Sequence, residues 1–384
     1  MSADLMTRYP AISDLEVLAR RRMPGFAWEF LDSGTRNDEA TARNRAALAQ
    51  IELTPRFMRG SFEPRLETTL FGTTYSAPFG IAPVGMSSLV WPGTDRILAA
   101  AAARNQIPYS MSTAANATPE TLGPLAQGMG WFQLYPPRNP NIRTDLLARA
   151  HDSGFTTLLV TVDVPAISRR ERQMRAGIGA GFGLTPKMLW QAALRPSWAL
   201  ATLREGRPQL PMLERYLSTK DTQKFLALVG AELNGTFDWQ YFDDLRREWP
   251  GALLLKGVLH PEDARLAVER GADGIVVSNH GGRQFDGAPA SITALPAIAR
   301  AVQGRASVLL DSGVRCGLDI ARALALGADF VLMGRPFMYA VAALGARGAD
   351  HAVRVLREDL INNMTNLGCA TLDELHERLS SQSD

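Results

Sequence analysis

Eight short apolar runs, spread over residues 79–333, limit what this chain can fold into more than any other feature. They fall at 79–82, 108–110, 131–134, 158–162, 253–256, 274–277, 308–310 and 330–333. Their length and their β-branched and aromatic content read as strands buried on both faces. Ala- and Leu-rich stretches such as 99–104 and 320–326 lie between them and read as helices. Strand alternating with helix eight times predicts an α/β fold, a (β/α)8 TIM barrel. A doubly wound open sheet is the alternative. It would place a Gly-rich loop after its first strand, and none is there.

The rhythm breaks once. Other successive strands start roughly 20–35 residues apart, as a βα unit requires. Between 162 and 253 the gap is about 90 residues, and so long a connection is functional or lacks fixed structure. The chain therefore reads as one barrel domain, 1–384, with an insertion at 176–235 after strand four. Over 172–213, Arg172, Arg175, Lys187, Arg195, Arg204 and Arg207 face the single acid Glu205. Trp190 and Trp198 sit among Met188, Leu189, Leu194, Leu200 and Leu203, and Pro196 interrupts any single helix. Basic residues with Trp and Leu suit a segment lying in a membrane interface. A mobile loop or an oligomer contact is the competing reading. Ahead of the barrel, 12–18 has helical apolar spacing and 24–31 reads as a second helix closed near Ser33-Gly34, so an N-terminal helical cap is expected.

A net charge of +2 gives no global electrostatic case for nucleic acid. The two cysteines, Cys316 and Cys369, lack metal-type spacing and fit packing residues in a reducing compartment. No metal site is expected. No stretch of about twenty apolar residues is present to span a membrane. Asp4, Arg8, Asp14 and Glu16 argue against a secretory leader. A cytoplasmic protein is expected, with peripheral attachment to the inner face of the cell membrane if 176–235 is an anchor.

Barrel chemistry sits at the carboxyl ends of the strands. Read in order, those ends carry Pro83, Val84 and Gly85; Ser112 and Thr113; Gln133 and Tyr135; Thr161 and Asp163; Lys256; Ser278, His280 and Arg283; Asp311, Gly313 and Arg315; and Gly334 and Arg335. His titrates near neutral pH and suits proton transfer. Arg carries a fork that fits a carboxylate. Glycines and cations after strands seven and eight are the recurrent barrel site for a phosphate. Each residue has a plainer reading. Lys256 could cap a strand, Asp163 could belong to a turn before Pro165, and Arg170 could lie on the solvated run Arg169-Arg170-Glu171-Arg172. His260 before Pro261 reads as a helix start, and His151, His351 and His376 read as surface residues.

The segment Ser278-Asn279-His280-Gly281-Gly282-Arg283-Gln284 resembles the signature of the FMN-dependent 2-hydroxy-acid dehydrogenases and oxidases. Trp131-Phe132-Gln133-Leu134-Tyr135, Thr161-Val162-Asp163, Asp311-Ser312-Gly313-Val314-Arg315 and Gly334-Arg335 are similar in order and spacing, and the likeness runs over about 15–367. The resemblance implies FMN as cofactor and oxidation of an L-2-hydroxy acid to the 2-oxo acid. Electrons would pass to a quinone or other acceptor in a dehydrogenase, or to oxygen in an oxidase. A barrel that binds FMN or a phosphorylated ligand without redox turnover is a third reading. The resemblance implies that His280 is the base, oriented by Asp163, and that Arg283 and Arg170 clamp the substrate carboxylate. Tyr135 would bond the substrate oxygen, and Lys256 would sit by the flavin pyrimidine edge. Ser112, Gln133, Thr161 and Ser278 would bond the flavin ring and ribityl chain. Asp311, Gly313, Arg315, Gly334 and Arg335 would hold the ribityl and phosphate. It also implies a homotetramer. Two features depart from the common pattern. Phe30 stands where the family usually has a Tyr that helps bind the carboxylate. Pro83-Val84-Gly85 has Gly where the oxidases generally have Ala, which is similar to the membrane dehydrogenases for lactate and mandelate.

Overall fold

Strands that are apolar on both faces must be covered on both faces, and closing them into a ring with helices outside achieves this. The computed structural model describes residues 4–178, 185–216, 228, 232, 233, 235 and 237–380. A short antiparallel hairpin, β1 (Thr68–Leu70) and β2 (Thr73–Tyr75), precedes the barrel. The barrel strands are β3 (Phe79–Ile81), β4 (Tyr109–Ser112), β5 (Gly130–Leu134), β6 (Thr157–Thr161), β7 (Ala252–Val258), β8 (Gly274–Val277), β9 (Ser307–Leu310) and β10 (Phe330–Met333). They pair in sequence order, all parallel, and β10 closes on β3. All eight expected strands are present within two residues of their expected ends.

Side chains alternate along each strand. Trp131, Leu159, Leu254, Val276, Leu309, Phe330 and Leu332 fill the barrel, in a cluster separate from the core between barrel and helices. The hairpin, which the sequence reading did not anticipate, joins this inner cluster through Leu70, Phe71 and Tyr75. It leads directly into β3, so it plugs the amino-terminal end of the barrel. Tyr75 accepts a hydrogen bond from Trp131 Nε1 at 3.0 Å, and its ring lies 5.7 Å from that of Phe330. Gly274 opens β8 because a Cβ there would sit 2.9 Å from Leu254 Cγ and 3.2 Å from Phe71.

The helical cap is present as Ile12–Arg22, Gly25–Asp32 and Glu39–Ala49. Trp28 stacks on Tyr339 of the last barrel helix, Arg335–Leu344, with centroids 5.6 Å apart. Asn44 exchanges two side-chain hydrogen bonds with Asn279, at 2.8 and 2.7 Å, and so ties the cap to the loop after β8.

The described part of the insertion forms the helices Pro186–Ala193, Pro196–Glu205 and Pro211–Glu214, each opened by a proline whose missing N–H is not needed there. Two expectations are corrected. Trp198 is buried, meets Phe26 edge-on at 5.6 Å and donates to Val90 O at 3.1 Å, so it serves the core rather than a membrane. Two members of the basic run serve the fold: Arg172 is paired with Glu29, and Arg195 donates to Met23 O at 3.1 Å. Trp190 and Leu203 do face outward, 67% and 82% exposed, with Leu189, Leu194 and Leu200 also exposed. The rest of the expected insertion, at 179–184 and most of 217–236, lies outside the described residues. Among the described residues no helix is long and apolar enough to cross a membrane.

His260 caps its helix, its Nδ1 accepting from Glu262 N at 3.2 Å. His351, read as a surface residue, is instead buried with Nε2 2.9 Å from Tyr9 O. Tyr75→Phe leaves the buried Trp131 N–H without its acceptor and is expected to cost about 1–3 kcal/mol. Thermal unfolding of the two proteins measures this; equal midpoints would show that the plug does not depend on that bond.

Candidate active site

The barrel register brings the polar strand ends to one level. Ser112 is paired with Gln133 across β4 and β5, and Thr161 with Lys256 across β6 and β7. A continuous buried strip results. Ser112 Oγ donates to Gln133 Oε1 at 3.0 Å, and Gln133 Nε2 donates to Thr161 Oγ1 at 2.9 Å. Lys256 Nζ lies 2.7 Å from Asp311 Oδ2 and donates to Ser278 Oγ at 3.0 Å. Burial works against the Lys256 charge, but Asp311 first and then Asp163 outweigh it and raise the pKa. The lysine is therefore an ammonium inside the barrel mouth.

A bulge in β7 places the second carboxylate. The β7–β8 register shifts between Lys256 and Val258, and Gly257, at φ +106°, is the extra residue. A Cβ at Gly257 would lie 2.6 Å from Asp163 Cγ, so only glycine admits that side chain. Asp163 Oδ1 sits 2.9 Å from His280 Nδ1. Burial favours the neutral acid, yet His280 and Lys256 overcome it, and the Asp163 pKa is lowered. Its other oxygen, Oδ2, is buried without a hydrogen-bond partner among the described residues. His280 Nε2, on the far side of the ring, is 3.5 Å from Tyr135 Oη. Burial first, and then the Asp163 charge, raise the Tyr135 pKa, so its hydroxyl stays a donor.

His280 reaches this position through a strained turn. His280, Gly281 and Gly282 are all left-handed, with φ of +58°, +67° and +76°. A non-glycine residue there costs of order 1–3 kcal/mol and persists where surroundings hold it. Ser278 Oγ accepts from His280 N at 3.0 Å, and Ser312 Oγ accepts from Gly281 N at 2.9 Å. Ser312 and Asn44 were not singled out from sequence. A hydroxyl and an amide of ordinary type give no signal there.

Arg170 and Arg283, the residues expected to clamp a carboxylate, are both anchored by neighbours. Arg170 is held by Ser168 Oγ at 2.9 Å and by Gln284 Oε1 at 3.1 Å. It is half-buried and turned into the site, not on a solvated run as its neighbours suggested. Arg283 Nη1 donates to the carbonyls of Phe30 at 2.9 Å and Ser33 at 2.8 Å. Its guanidinium carbon lies 5.6 Å from the centre of the Phe30 ring. Phe30 thus packs under the arginine and offers no hydroxyl. Burial first, and then Arg170 and Arg335, push the Arg283 pKa well down. The cluster is short of negative charge, a lack that a bound carboxylate would relieve.

Arg335 differs from its expected use. Its side chain donates to Leu31 O at 3.2 Å, Gly281 O at 3.0 Å, and Asp32 O and Ser33 O at 3.1 Å each. Together with Arg283 it satisfies the carbonyls that the helix Gly25–Asp32 leaves unpaired at its negative end. The guanidinium of Arg335 is thereby committed to the cap. What remains for a phosphate is the amino-terminal end of the ten-residue helix Arg335–Leu344, capped by Gly334.

The residues after β9 do fit a phosphate-bearing cofactor. Arg315 is half-buried, desolvation lowers its pKa, and its buried Nε has no partner among the described residues. A guanidinium with a buried, orphaned N–H calls for an anion. Glycines let the strand-end loops pack closely beside it. Gly334 lies where a Cβ would touch Val84 at 3.2 Å, and at Gly85 one would touch Ala114 at 3.0 Å. Gly313 has φ +97°. Pro83, Val84 and Gly85 line the same mouth from the end of β3.

A barrel mouth with a phosphate cradle, a buried ammonium and a His–Asp dyad belongs to an enzyme that moves a proton beside a cofactor. The model of the family described as FMN-dependent dehydrogenase matches residues 19–382. An L-lactate dehydrogenase of Caulobacter sp. (strain K31) is 38% identical, over 97% of this chain and 98% of its own length. One of Xanthomonas euvesicatoria pv. vesicatoria (strain 85-10) is 39% identical, over 95% and 94%. Among solved structures, the monotopic membrane protein (S)-mandelate dehydrogenase matches with a TM-score of 0.92 at 33% identity, covering 97% of this chain and 100% of that one. A mandelate oxidase matches with a TM-score of 0.82 at 34% identity, covering 97% and 98%. The chain belongs to the FMN-dependent dehydrogenase family. It is an oxidoreductase, and FMN is its cofactor.

Arg315→Gln keeps the fold but removes the cation, and is expected to weaken FMN binding tenfold or more, about 1.4 kcal/mol. Titration of the apoprotein with FMN, followed by flavin fluorescence, measures this. Unchanged affinity would remove Arg315 from the phosphate site.

Proposed function

We propose that this enzyme oxidises an L-2-hydroxy acid to the 2-oxo acid and delivers the electrons to a quinone or another acceptor that is not oxygen. The observation that carries the substrate class is the convergence of His280 Nε2, Tyr135 Oη and the arginine clamp on one mouth. The named L-lactate and mandelate dehydrogenases among the relatives support it.

Bound FMN supplies the two-electron acceptor. The chain supplies the rest. Arg170 and Arg283 bind the substrate carboxylate, with Phe30 as the apolar floor beneath Arg283 and Gly85 leaving room beside it. Tyr135 donates to the substrate oxygen. His280 Nε2 accepts one of the two protons that the acid gives up. Asp163 fixes the ring through Nδ1 and stabilises the imidazolium that results. Lys256 would lie by the pyrimidine edge of bound FMN and offset negative charge arriving there. Ser112, Gln133, Thr161 and Ser278 bond the flavin ring and ribityl chain. Asp311, Gly313, Arg315 and the amides at Gly334 and Arg335 hold the ribityl and phosphate.

The non-oxygen acceptor and a peripheral membrane contact rest on two supports. One is that relatives are named as dehydrogenases, the L-lactate dehydrogenases and the monotopic membrane protein (S)-mandelate dehydrogenase. The other is the outward face of Leu189, Trp190, Leu194, Leu200 and Leu203 on the two insertion helices, with Lys187 and Arg204 also exposed. Such a face fits a helix pair lying in the headgroup layer.

His280→Gln retains flavin and lowers the rate of anaerobic flavin reduction by roughly four decades, the scale seen when an essential catalytic group is lost. Stopped-flow absorbance reads this, and a wild-type rate in the variant would reject the base. Trp190→Glu with Leu203→Glu is expected to release the protein from anionic vesicles at unchanged solution activity. Wild-type protein that never sediments with vesicles would end the anchor proposal.

A further inference from the structure

We propose that Arg172 is a positioning residue that sets the two prongs of the carboxylate clamp, an inference that rests on the substrate reading above. Composition had placed Arg172 in a basic surface run. In the fold it is a three-way clasp. Its Nε lies 2.6 Å from Glu29 Oε2, its Nη2 3.0 Å from Asp32 Oδ2, and its Nη1 2.5 Å from Asp38 Oδ2. All three guanidinium nitrogens are used, and each meets a carboxylate from a different point of the segment 29–38.

The neighbours of Arg172 grip the same segment. Glu171 Oε2 accepts from Arg36 N at 2.8 Å. Gln173 Nε2 donates to Phe30 O at 3.3 Å and Ser33 Oγ at 3.1 Å. Three consecutive residues thus fasten the loop after β6 onto 29–38. Just before them stands Arg170, at φ +46°. On its other side the segment holds Arg283, through the carbonyls of Phe30 and Ser33. Arg170 and Arg283 come from strand ends far apart in sequence, yet both are referenced to one strip of cap backbone. The spacing of the prongs depends on how 171–173 sit on that strip, in addition to the direct bond from Arg170 Nη2 to Gln284 Oε1 at 3.1 Å.

Electrostatics makes Arg172 the pivotal residue of the three. One cation serves three carboxylates, so the cluster carries an excess of negative charge even when intact. Burial opposes the Arg172 charge, but hydrogen bonds from Glu29, Asp38 and Asp32 outweigh it and raise its pKa. Without the guanidinium, three acids repel one another at a partly buried seam. Asp32 keeps other anchors, since Tyr339 Oη donates to it at 3.0 Å and Arg335 binds its carbonyl. Glu29 and Asp38 lose their only ion pairs among the described residues. The seam therefore opens on the side of the β6 loop, and Arg170 moves away from Arg283. Arg335, whose amide is assigned to the phosphate, meets the clasp through the Asp32 carbonyl and not through its ion pairs.

The test compares wild type, Arg172→Gln and Arg172→Lys as FMN-loaded enzymes. Two quantities are read: calorimetric binding of oxalate, a carboxylate that needs no turnover, and KM and kcat for a 2-hydroxy acid. Arg172→Gln should weaken oxalate and raise KM about tenfold or more, with kcat within about threefold and FMN content unchanged. Arg172→Lys should fall between, because a point ammonium cannot span three carboxylates. Wild-type oxalate affinity in a folded, yellow Arg172→Gln would overturn the proposal. So would a lowered melting temperature with no change in oxalate binding or KM, the pattern of a purely structural residue. If Arg172→Gln does not fold, Arg172→Lys and Asp38→Asn decide, and wild-type oxalate binding in both overturns it. Failure of wild type itself to be reduced by any 2-hydroxy acid would instead reject the substrate reading.

Discussion

A buried ion pair, Lys256 with Asp311 at 2.7 Å, is the constraint on which the site depends. Both side chains are nearly sealed from solvent at the top of the barrel. Burying two charges costs several kcal/mol per ion unless geometry and further hydrogen bonds offset it. Here the offsets are also the functional groups. Lys256 is bonded to Ser278, which also receives the His280 amide, and Asp311 receives the Ser312 hydroxyl, which holds Gly281. The turn that presents His280 is therefore built on the same network that keeps an ammonium inside the mouth. Asp163 joins it electrostatically from β6 and fixes the imidazole from the other side.

The two ends of the barrel have opposite demands. The amino-terminal end is closed by aromatic packing of the hairpin on Trp131 and Phe330. The carboxyl end must leave polar groups for its ligands, and Arg315 Nε, without a partner among the described residues, is such a group. The cap serves the second end by accepting from its arginines. The carbonyls that end the helix Gly25–Asp32 receive Arg283 and Arg335, so a helix terminus stands in as the counter-charge for a cluster of guanidiniums.

Much of this was legible in the sequence. Eight strands could be read because each is apolar on both faces, a pattern that survives without context. The strand-end residues could be read because a barrel puts every strand end at one mouth. What was not legible is informative. The hairpin 68–75 has three-residue strands rich in Thr, too short for any period to appear. Gly334-Arg335 gives a residue type near a phosphate site but not the direction of a side chain that turns to the cap. Trp190 and Trp198 share a composition and differ only in which helix face meets Phe26. Arg172 looked like surface charge because its three acids lie at 29, 32 and 38, far away along the chain.

The proposed mouth binds an anionic hydroxy acid in a single hand and removes its proton beside FMN. Anaerobic mixing of the FMN-loaded enzyme with paired L and D enantiomers of lactate and mandelate, followed by flavin absorbance, is the decisive measurement. At least one L acid is expected to bleach the flavin rapidly while its D partner leaves it oxidised. A flavin that stays yellow with all four acids, or bleaches equally with both hands, would contradict it.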